Sequence, residues 1–344
     1  MSKKNNKQEA HRTAPEAVLP QMIRDRIFPH LIYVAAKLGI ADLLAEGAKS
    51  SAELAKAVGA QPRSLYRVMR ALASRGIFAE NKNGKFELTP IAAPLQSDVP
   101  GSVRTWAIMT GESWFQRPFG EILHCVKTGK DAFSHVHGMA LFEYLKQDSE
   151  AAETFNEVMT KFTETQTSAV VAAYDFSKIP KIVDIGGGKG TLISAILRAN
   201  PRMQGVLFDL PYVIEEAKNL LGKESVADRC ELLAGDMFEA VPNGEAFILK
   251  RVFHDWNDEL SIAILNNCRR AITDNGRLLV VEGIVPPGNA PSQMKCDDIN
   301  MMVAAGGIER TETEFSALFE ASGFKLSNVF STKATLSIIE AVPV

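Results

Sequence analysis

His254 has the residue type and position that proton transfer at a ligand site requires. It lies in the segment LKRVFHDW, directly after an apolar run at residues 246–250 that predicts a buried strand. In open α/β sheets, ligands bind beyond the carboxyl ends of the strands. A lone histidine is usually structural, but one placed there suits general-base work at neutral pH if a carboxylate fixes its tautomer. Glu282 after LLVV and Glu309 in GGIERT are the candidates, although either could be a surface charge or an ion-pair partner of Arg310.

The segment KIVDIGGGKG, residues 181–190, predicts a strand, a glycine turn and a helix in succession. Such a junction lets a ligand approach the helix N-terminus against bare backbone. Gly186, Gly188 and Gly190 are spaced more tightly than the dinucleotide fingerprint G-x-G-x-x-G, and Asp184 precedes them. This spacing favours S-adenosylmethionine, which has no phosphate to hold. A dinucleotide or a plain turn that needs positive φ is the alternative.

Acidic residues at the ends of the next two predicted strands could bind an adenosine group. Asp209 follows the first glycine of the loop by 23 residues, where a carboxylate can accept hydrogen bonds from both ribose hydroxyls. It could also cap a helix, since Pro211 stands at a plausible first helical position. Asp236, in AGDMF, could accept from an adenine amino group while Met237 or Phe238 covers the ring. The alternative is a loop aspartate beside two core residues.

These candidates depend on a sheet that would bring the strand ends together. From Ile179 onward, short apolar runs alternate with helical patterns. Strands are predicted at 181–185, 205–209, 230–234, 246–250, 277–283, 324–330 and 335–341. Helices are predicted at 191–199, 211–221, 257–272, 294–305 and 312–322. The alternation predicts an α/β, mostly parallel, doubly wound sheet of seven strands, whose last two strands pair antiparallel.

The first part of the chain predicts a different arrangement. Residues 18–47 have a helical pattern that Pro29 interrupts, and residues 50–90 predict a helix, a turn, a second helix and a hairpin at an Asn-Gly pair. This is the order of a winged helix. The second helix carries four arginines: Arg63, Arg67, Arg70 and Arg75. DNA recognition is one interpretation. We favour a dimerisation module, because the basic cluster is modest and the hairpin carries two glutamates.

Residues 99–175 are again helical and rich in aromatic side chains. Helices are predicted at 101–109, 118–126 and 151–174. We expect most of the aromatic side chains in the core, with a few of them lining an apolar pocket for a small molecule.

Composition excludes several classes of protein. The chain has 344 residues and a net charge of −3, so nothing global attracts nucleic acid or an anionic membrane. Its four cysteines are far apart and form no C-x-x-C pair, which favours reduced thiols in a cytoplasmic protein over a zinc site or a disulfide framework. The polar residues 1–17 predict a disordered tail rather than a signal peptide, and no apolar run is long enough to span a membrane.

Six short segments, in this order and spacing, resemble the cation-independent S-adenosylmethionine-dependent O-methyltransferases. This family includes caffeate and hydroxyindole O-methyltransferases and bacterial enzymes that act on aromatic natural products. The segments are DIGGGKG, FDLP, GDMF, LKRVFHDWND, VVEG and GGIERT. The resemblance covers residues 18 to 342. It implies a class I methyltransferase fold, with a Rossmann-like sheet of seven strands preceded by a helical and winged-helix dimerisation domain.

The resemblance also implies roles for individual residues. His254 corresponds to the catalytic base, and Glu282 and Glu309 to the acidic residues that bracket and orient it. The residues expected to bind S-adenosylmethionine are Asp184, Gly186, Gly187, Gly188, Asp209, Leu210, Asp236, Met237, Phe238, Lys250 and Arg251. The residues expected to line the acceptor pocket are Phe155, Met159, Phe162, Asp255, Met301 and Met302. No metal is implied.

Three departures from the plant members concern the acceptor side. Phe162 stands where plant enzymes often have a histidine, Arg251 stands where they often have an aromatic residue, and the segment 298–306 is one residue shorter. The cofactor side is intact. The domains predicted are a tail at 1–17, a dimerisation domain at 18–98, a helical substrate-lining region at 99–176 and a cofactor-binding catalytic domain at 177–344.

The sequence therefore predicts a homodimeric O-methyltransferase that methylates a hydroxyl of a small aromatic compound and releases S-adenosylhomocysteine. A phenol has a pKa near 10, so a base that takes its proton during in-line methyl transfer helps at neutral pH. Two alternatives stay open. One is a winged-helix regulator that senses a ligand and binds DNA, and the other is a relative that keeps the cofactor but catalyses a different reaction.

Overall fold

The computed structural model describes residues 14–344, which divide into two compact units between Gln116 and Arg117. Residues 1–13, and with them most of the tail predicted at the start of the chain, lie outside the described residues. The boundary falls inside the region predicted as a helical linker, 99–176, so its first part belongs to one unit and the rest to the other.

The first unit consists of helices and one small sheet. Its elements are α1 (Pro15–Asp25), α2 (Phe28–Lys37), α3 (Ile40–Ala45), β1 (Lys49–Ser50), α4 (Ser51–Val58), α5 (Pro62–Ala73), β2 (Phe78–Glu80), β3 (Lys85–Leu88), α6 (Arg104–Gly111) and α7 (Ser113–Gln116). Pro15 thus begins a helix within the stretch predicted as a tail. Pro29 lies in the first turn of α2, where a missing backbone N–H costs nothing, so the helical segment predicted at 18–47 is divided there.

Helices α4 and α5 and the hairpin of β2 and β3 follow one another in the predicted order. A capping box between Ser50 and Glu53 begins α4, and the short β1, which the sequence did not reveal, pairs with β3 to give a sheet of order β1-β3-β2. Leu65, Met69 and Leu72 share one buried face of α5. The four arginines of this helix and the residues after it are exposed.

The second unit carries the large sheet. Its elements are α8 (Ile122–Thr128), α9 (Ala132–His137), α10 (Leu141–Gln147), α11 (Ser149–Ala173), β4 (Lys181–Ile185), α12 (Thr191–Ala199), β5 (Gln204–Asp209), α13 (Pro211–Lys223), β6 (Cys230–Ala234), β7 (Gly244–Lys250), α14 (Asp258–Ala271), β8 (Ile272–Gly283), α15 (Gln293–Ala304), α16 (Glu312–Ala321), β9 (Phe324–Ser331) and β10 (Leu336–Pro343).

The strands form one seven-stranded sheet in the order β6-β5-β4-β7-β8-β10-β9. The first five are parallel, and β10 runs antiparallel to both of its neighbours. Both the doubly wound topology and the antiparallel last pair are therefore confirmed. The chain reverses direction across the sheet between β4 and β7, which places the glycine loop and the segment after β7 side by side at one edge.

Both faces of this sheet are covered, and for this reason its strands are nearly continuous apolar runs. Ile182 of β4 packs into a core with residues of α12 and α13. Val183 and Ile185 point to the opposite face and pack with residues of α14 and α16. Asp184 is the exception, a carboxylate buried within this apolar strand.

The predicted strand and helix bounds of this unit lie close to the observed ones. The largest difference is in β8, which begins at Ile272 rather than at 277. Helices α9 and α10 were not predicted, because each is too short for a periodic pattern of apolar residues to stand out. Within the described residues, no helix is long and apolar enough to cross a membrane.

Candidate active site

The segment that carries His254 leaves the sheet in a sharp turn. Strand β7 ends at Lys250, and residues 253–255 form a short 3-10 turn. Between them, Arg251 has φ of 56°, in the left-handed region, which costs a non-glycine residue about 1–3 kcal/mol. Its N–H donates to the carbonyl of Val281 (3.1 Å), which extends the pairing of β7 with β8 by one residue before the chain turns away.

This turn directs three successive backbone N–H groups at one carboxylate. Glu282, fully buried near the end of β8, accepts hydrogen bonds at Oε1 from the N–H groups of Val252 (2.8 Å), Phe253 (2.9 Å) and His254 (3.4 Å). The Nδ1 atom of His254 lies 3.2 Å from Oε2 of the same carboxylate. Because a carboxylate accepts, this contact places the imidazole proton on Nδ1 and leaves Nε2 free to accept one.

His254 and Glu282 shift each other's pKa values in opposite directions. Burial alone would lower the pKa of His254, but the charge and hydrogen bond of Glu282 outweigh burial and raise it above its ordinary value. Burial would raise the pKa of Glu282, but His254 and Arg251 outweigh that effect and lower it. Glu282 is therefore ionised at neutral pH and stabilises the protonated form of the imidazole.

Asp255 faces the other ring nitrogen. Its Oδ1 lies 3.3 Å from Nε2 of His254, and burial raises the pKa of this aspartate. The residue was predicted in the acceptor pocket, and the structure places it beside the nitrogen that would take a proton.

Among the described residues, no hydrogen bond or ion pair is seen between Glu309 and His254, although the charge of His254 acts to lower the pKa of Glu309. That Glu309 brackets the histidine stays a prediction. Its Oε1 accepts from Nη1 of Arg251 at 2.7 Å, and its backbone N–H donates to Asp298 (2.9 Å). Its other oxygen, Oε2, is buried and has no hydrogen-bond partner among the described residues. Burial raises the pKa of Glu309, although Arg251 acts against that shift.

Arg310 holds the turn in place and was not singled out from the sequence. It is fully buried and donates to the carbonyls of Phe253 and Trp256, both at 2.8 Å, and to Asp258 (3.0 and 2.8 Å). The sequence left open an ion pair between Glu309 and Arg310, and the structure gives Arg310 a different partner, Asp258. Arginine is rarely buried unless it is paired, so an arginine in a segment that must pack against an apolar sheet indicates that it binds buried polar groups.

The glycine loop joins β4 to α12. Gly186, Gly188 and Gly190 all have φ between 60° and 82°, the left-handed region that glycine adopts without steric cost. The N–H of Gly188 donates to Oδ2 of Asp209 (2.8 Å), and the N–H of Leu210 donates to Oδ1 (2.7 Å). Each oxygen of Asp209 keeps a lone pair for a ligand hydroxyl. The helix-cap alternative for Asp209 is wrong, because Leu210 is the N-cap of α13.

Asp184 lies directly beneath this loop. A Cβ on Gly187 would come 2.6 Å from Cγ of Asp184, so only glycine lets the loop rest on the carboxyl group. Neither oxygen of Asp184 has a well-aligned hydrogen-bond partner among the described residues, and the backbone N–H of Ile193 is near enough only to lower its pKa slightly. Burial raises the pKa of Asp184 to about 7, the nearby Lys250 opposes the shift, and Asp209 adds to it.

The turn after β6 lies beside the loop. A Cβ on Gly186 would come 3.9 Å from Sδ of Met237. Asp236 accepts from the N–H of Phe238 (2.8 Å), and the Phe238 ring meets Trp256 edge-on, with centroids 4.9 Å apart. Sequence reasoning missed Asn267, whose Nδ2 donates to the carbonyl of Met237 (2.7 Å) and fixes this turn from α14.

These residues fit S-adenosylmethionine. The cofactor carries a net positive charge, and a buried carboxylate without a well-aligned partner in the described part of the chain, Asp184, lies under the loop that would face it. Asp209 and Asp236 offer oxygens for ribose and adenine, and Met237 and Phe238 offer apolar surface. Lys250, half-buried at the end of β7, adds a cation near Asp184, and burial lowers its pKa.

Apart from Asp255, the predicted acceptor residues lie on two helices. Phe155 and Met159 are half-buried on α11 and Phe162 is more exposed, and their spacing puts them on one face of that helix. Met301 of α15 lies near Gly307, which touches His254, whereas Met302 packs into a small core with Cys125 and Ala132. Met301 is thus brought to the site, and Met302 is partly used in packing.

A doubly wound sheet of this strand order, with a glycine loop and carboxylates at the ends of successive strands, defines a class I methyltransferase. Two family models match the chain: an O-methyltransferase domain at residues 119–325 and an O-methyltransferase dimerisation domain at residues 21–98. The phenazine O-methyltransferase of Lysobacter antibioticus is 46% identical over 329 residues, 95% of this chain and 96% of the relative. The mitomycin biosynthesis 6-O-methyltransferase of Streptomyces lavendulae is 36% identical, over 92% of this chain and 91% of the relative.

A solved structure extends the likeness to a bound complex. An O-methyltransferase from neocarzinostatin biosynthesis, crystallised with S-adenosylmethionine and 2-hydroxy-5-methyl naphthoic acid, matches with a TM-score of 0.77 and 30% identity over 92% of this chain and 96% of that one. The chain belongs to the S-adenosylmethionine-dependent O-methyltransferase family and is an O-methyltransferase. The comparisons support neither the DNA-binding regulator nor a relative that keeps the cofactor but catalyses a non-methylating reaction.

Among residues 14–344, no group of three or more His, Cys, Asp or Glu side chains is placed to hold a metal ion.

Proposed function

We propose that this enzyme methylates a hydroxyl group of a small aromatic compound, with His254 as the general base. The observation that supports the proposal most directly is the pairing of His254 with the fully buried Glu282, which leaves Nε2 as a proton acceptor at the ligand edge of the sheet. Relatives named for phenazine and mitomycin, and a structural neighbour crystallised with a naphthoic acid, support an aromatic acceptor.

In the proposed reaction, the acceptor hydroxyl takes the place of Asp255 at Nε2 of His254. S-Adenosylmethionine, when bound, supplies the methyl group from its sulfonium: the methyl–sulfur bond breaks as the methyl–oxygen bond forms, and the sulfur leaves as a neutral sulfide. As the oxygen attacks, His254 removes its proton, and Glu282 stabilises the resulting imidazolium. The proton is later released to solvent. Positioning of the two reactants contributes to the rate as well as the base does.

The residues on the cofactor side have separate proposed tasks. Asp209 binds the ribose, Asp236 and Met237 bind the adenine, and the loop from Gly186 to Gly188 lets the cofactor approach the backbone. Asp184 contributes negative charge beneath that loop. Phe155, Met159 and Phe162 are proposed to line the acceptor pocket, as is Met301.

We also propose a homodimer, with α1 in the interface. The dimerisation family model spans residues 21–98 and so begins within α1. One side of α1, together with Ile27 just before α2, carries exposed apolar side chains: Val18, Leu19, Met22, Ile23 and Ile27. A second copy of the chain would bury this surface. Single exposed apolar side chains are normal on a monomer, but these five form a group that indicates an interface. The variant carrying L19E and I23E should sediment as a monomer, and an unchanged dimer would place the interface elsewhere.

One experiment tests the function. Purified enzyme and S-adenosylmethionine are incubated with a panel of aromatic hydroxyl compounds, including hydroxyphenazines, hydroxynaphthoic acids and simple phenols, and S-adenosylhomocysteine is measured by mass spectrometry. With the best acceptor, H254A should lower turnover about 10²–10⁴-fold and leave S-adenosylhomocysteine binding unchanged. H135A, at an exposed histidine, is the matched control. Wild-type turnover in H254A would refute the role of the base.

A further inference from the structure

Arg251 makes contacts that the proposed reaction does not use. Its Nη1 lies 2.7 Å from Oε1 of Glu309 and 3.6 Å from Oε2 of Glu282, so one nitrogen stands between two carboxylates. The two glutamate side chains are almost completely buried, whereas that of Arg251 is 28% exposed. A cation between two buried carboxylates lets both remain ionised, and without it their repulsion would favour protonation of one of them.

The backbone of Arg251 contributes separately. Its φ of 56° is followed by a right-handed conformation at Val252, with φ of −109° and ψ of −51°. A left-handed and a right-handed residue in succession form a concave group of N–H donors that binds an anion. Here the anion is the carboxylate of Glu282, which accepts from Val252 and the two residues that follow.

We propose that Arg251 is a positioning residue for His254. The guanidinium of Arg251 holds Glu309 and so leaves Glu282, among the described residues, as the only carboxylate bonded to Nδ1 of the imidazole. The sequence had placed Arg251 among the cofactor contacts, but its observed partners are the two glutamates and the carbonyl of Val281. The inference rests on the proposed function, since the orientation of His254 matters for catalysis only if this residue is the base.

The charges around His254 make the inference testable by titration. The groups facing it are Glu282 from β8, Glu309 from the segment before α16, and Arg251 and Asp255 from its own turn. Asp297 of α15 adds a further carboxylate near Arg251. Arg251 lowers the pKa of His254, acting against the larger effect of Glu282. Loss of the guanidinium should therefore make the imidazole easier to protonate.

The test follows His254 directly by NMR. The enzyme is labelled with ¹³C-histidine and saturated with S-adenosylhomocysteine, and the resonance of His254 is assigned by its loss in H254N. In R251M the titration midpoint should move to higher pH. In R251K, which keeps the charge, it should stay close to that of the wild type. In E309Q the freed guanidinium should close on Glu282, and the midpoint should move to lower pH.

Kinetics and a matched control complete the design. With the acceptor found in the panel, R251M should lower kcat about tenfold or more, with R251K recovering part of that loss, because a misplaced catalytic group is costly. R277M removes another arginine that pairs with a buried glutamate, Glu340, and should leave the His254 midpoint unchanged. If R251M does not fold, the shift expected in E309Q and the unchanged midpoint expected in R251K still test the inference.

The outcomes separate the inference from the proposed function. If R251M and E309Q both leave the His254 midpoint at the wild-type value, or if R251K shifts it as far as R251M does, the positioning role is refuted while the base role stands. If H254A turns over at the wild-type rate, the proposed function fails, whatever the titration gives.

Discussion

Gly307 lies against the backbone carbonyl of His254. A Cβ added to Gly307 would come 2.2 Å from that oxygen, and the N–H of the next residue, Ile308, donates to the same carbonyl at 2.9 Å. The loop before α16 therefore touches the main chain of the proposed base. Its first residues, in the segment GGIERT, position the histidine from outside the strand that carries it.

The substitution G307A should displace His254. No side chain lies between the new methyl group and the carbonyl, so the backbone itself has to shift. We expect kcat to fall about 10–100-fold, because a displacement of about 1 Å can cost that much, with a loss of stability of about 1–3 kcal/mol from overpacking. Steady-state kinetics and thermal unfolding measure the two effects.

G222A is the control for this change. Gly222 lies in α13 with nothing within 4 Å of the added Cβ, so alanine there should leave activity unchanged and slightly stabilise the helix. If G307A retains wild-type kcat, the contact between the loop and His254 has no part in positioning the base.

E282Q should shift the pH dependence of the reaction. The base must be unprotonated, so kcat/KM falls as the pH decreases through the pKa of His254, which Glu282 raises above its ordinary value. Glutamine removes the charge that opposes burial, so the acidic limb of the profile should move to lower pH. Because the imidazolium also loses its stabilising partner, kcat should fall about 10²-fold or more. An acidic limb that stays at the wild-type position would argue against the pairing of these residues.

Much of the fold could be predicted from the sequence, because the sheet is built from apolar runs with glycine or proline between them. The same reasoning placed His254, Glu282, Asp209 and the glycine loop at one edge, since each lies at or shortly after the carboxyl end of a strand. The partners of Glu309 could not be predicted in this way. They depend on a left-handed residue, Arg251, whose conformation no local pattern indicates.

Buried polar contacts between distant segments explain the other omissions. Arg310 binds carbonyls of a turn more than 50 residues earlier in the chain, and Asn267 fixes a turn from the next helix. Such contacts satisfy backbone groups that the tertiary structure buries, and they become visible only when the turn and its partner are both placed.

R310M should destabilise the enzyme and lower its activity together. Methionine would remove the Arg310 donor from the carbonyls of Phe253 and Trp256. Each carbonyl keeps one longer hydrogen bond, from the N–H of Trp256 (3.2 Å) and the hydroxyl of Ser261 (3.5 Å), so we expect a loss of about 1–3 kcal/mol in total. The turn between them carries His254, so kcat should fall as well. Denaturant unfolding and kinetics on the same preparation test both effects, with R310K expected to retain part of each. A variant that loses stability but keeps kcat would separate the turn from the position of His254.

D184N should separate stability from cofactor binding. In the folded protein, burial raises the pKa of Asp184 from 3.8 to about 7, so the folded state binds a proton more tightly than the unfolded state. Stability therefore falls as the pH rises from about 4 toward 7, and above pH 7 the ionised carboxylate costs at most about 4 kcal/mol. Asparagine removes this cost, so the variant should be more stable than the wild type at pH 8 and gain little at pH 4. Its affinity for S-adenosylmethionine should fall, because the negative charge beneath the glycine loop is gone.

Thermal unfolding at the two pH values and calorimetry with the cofactor measure these effects, with the exposed D274N as the control. Equal stability gains at both pH values would mean that the ionisation of Asp184 does not destabilise the folded state.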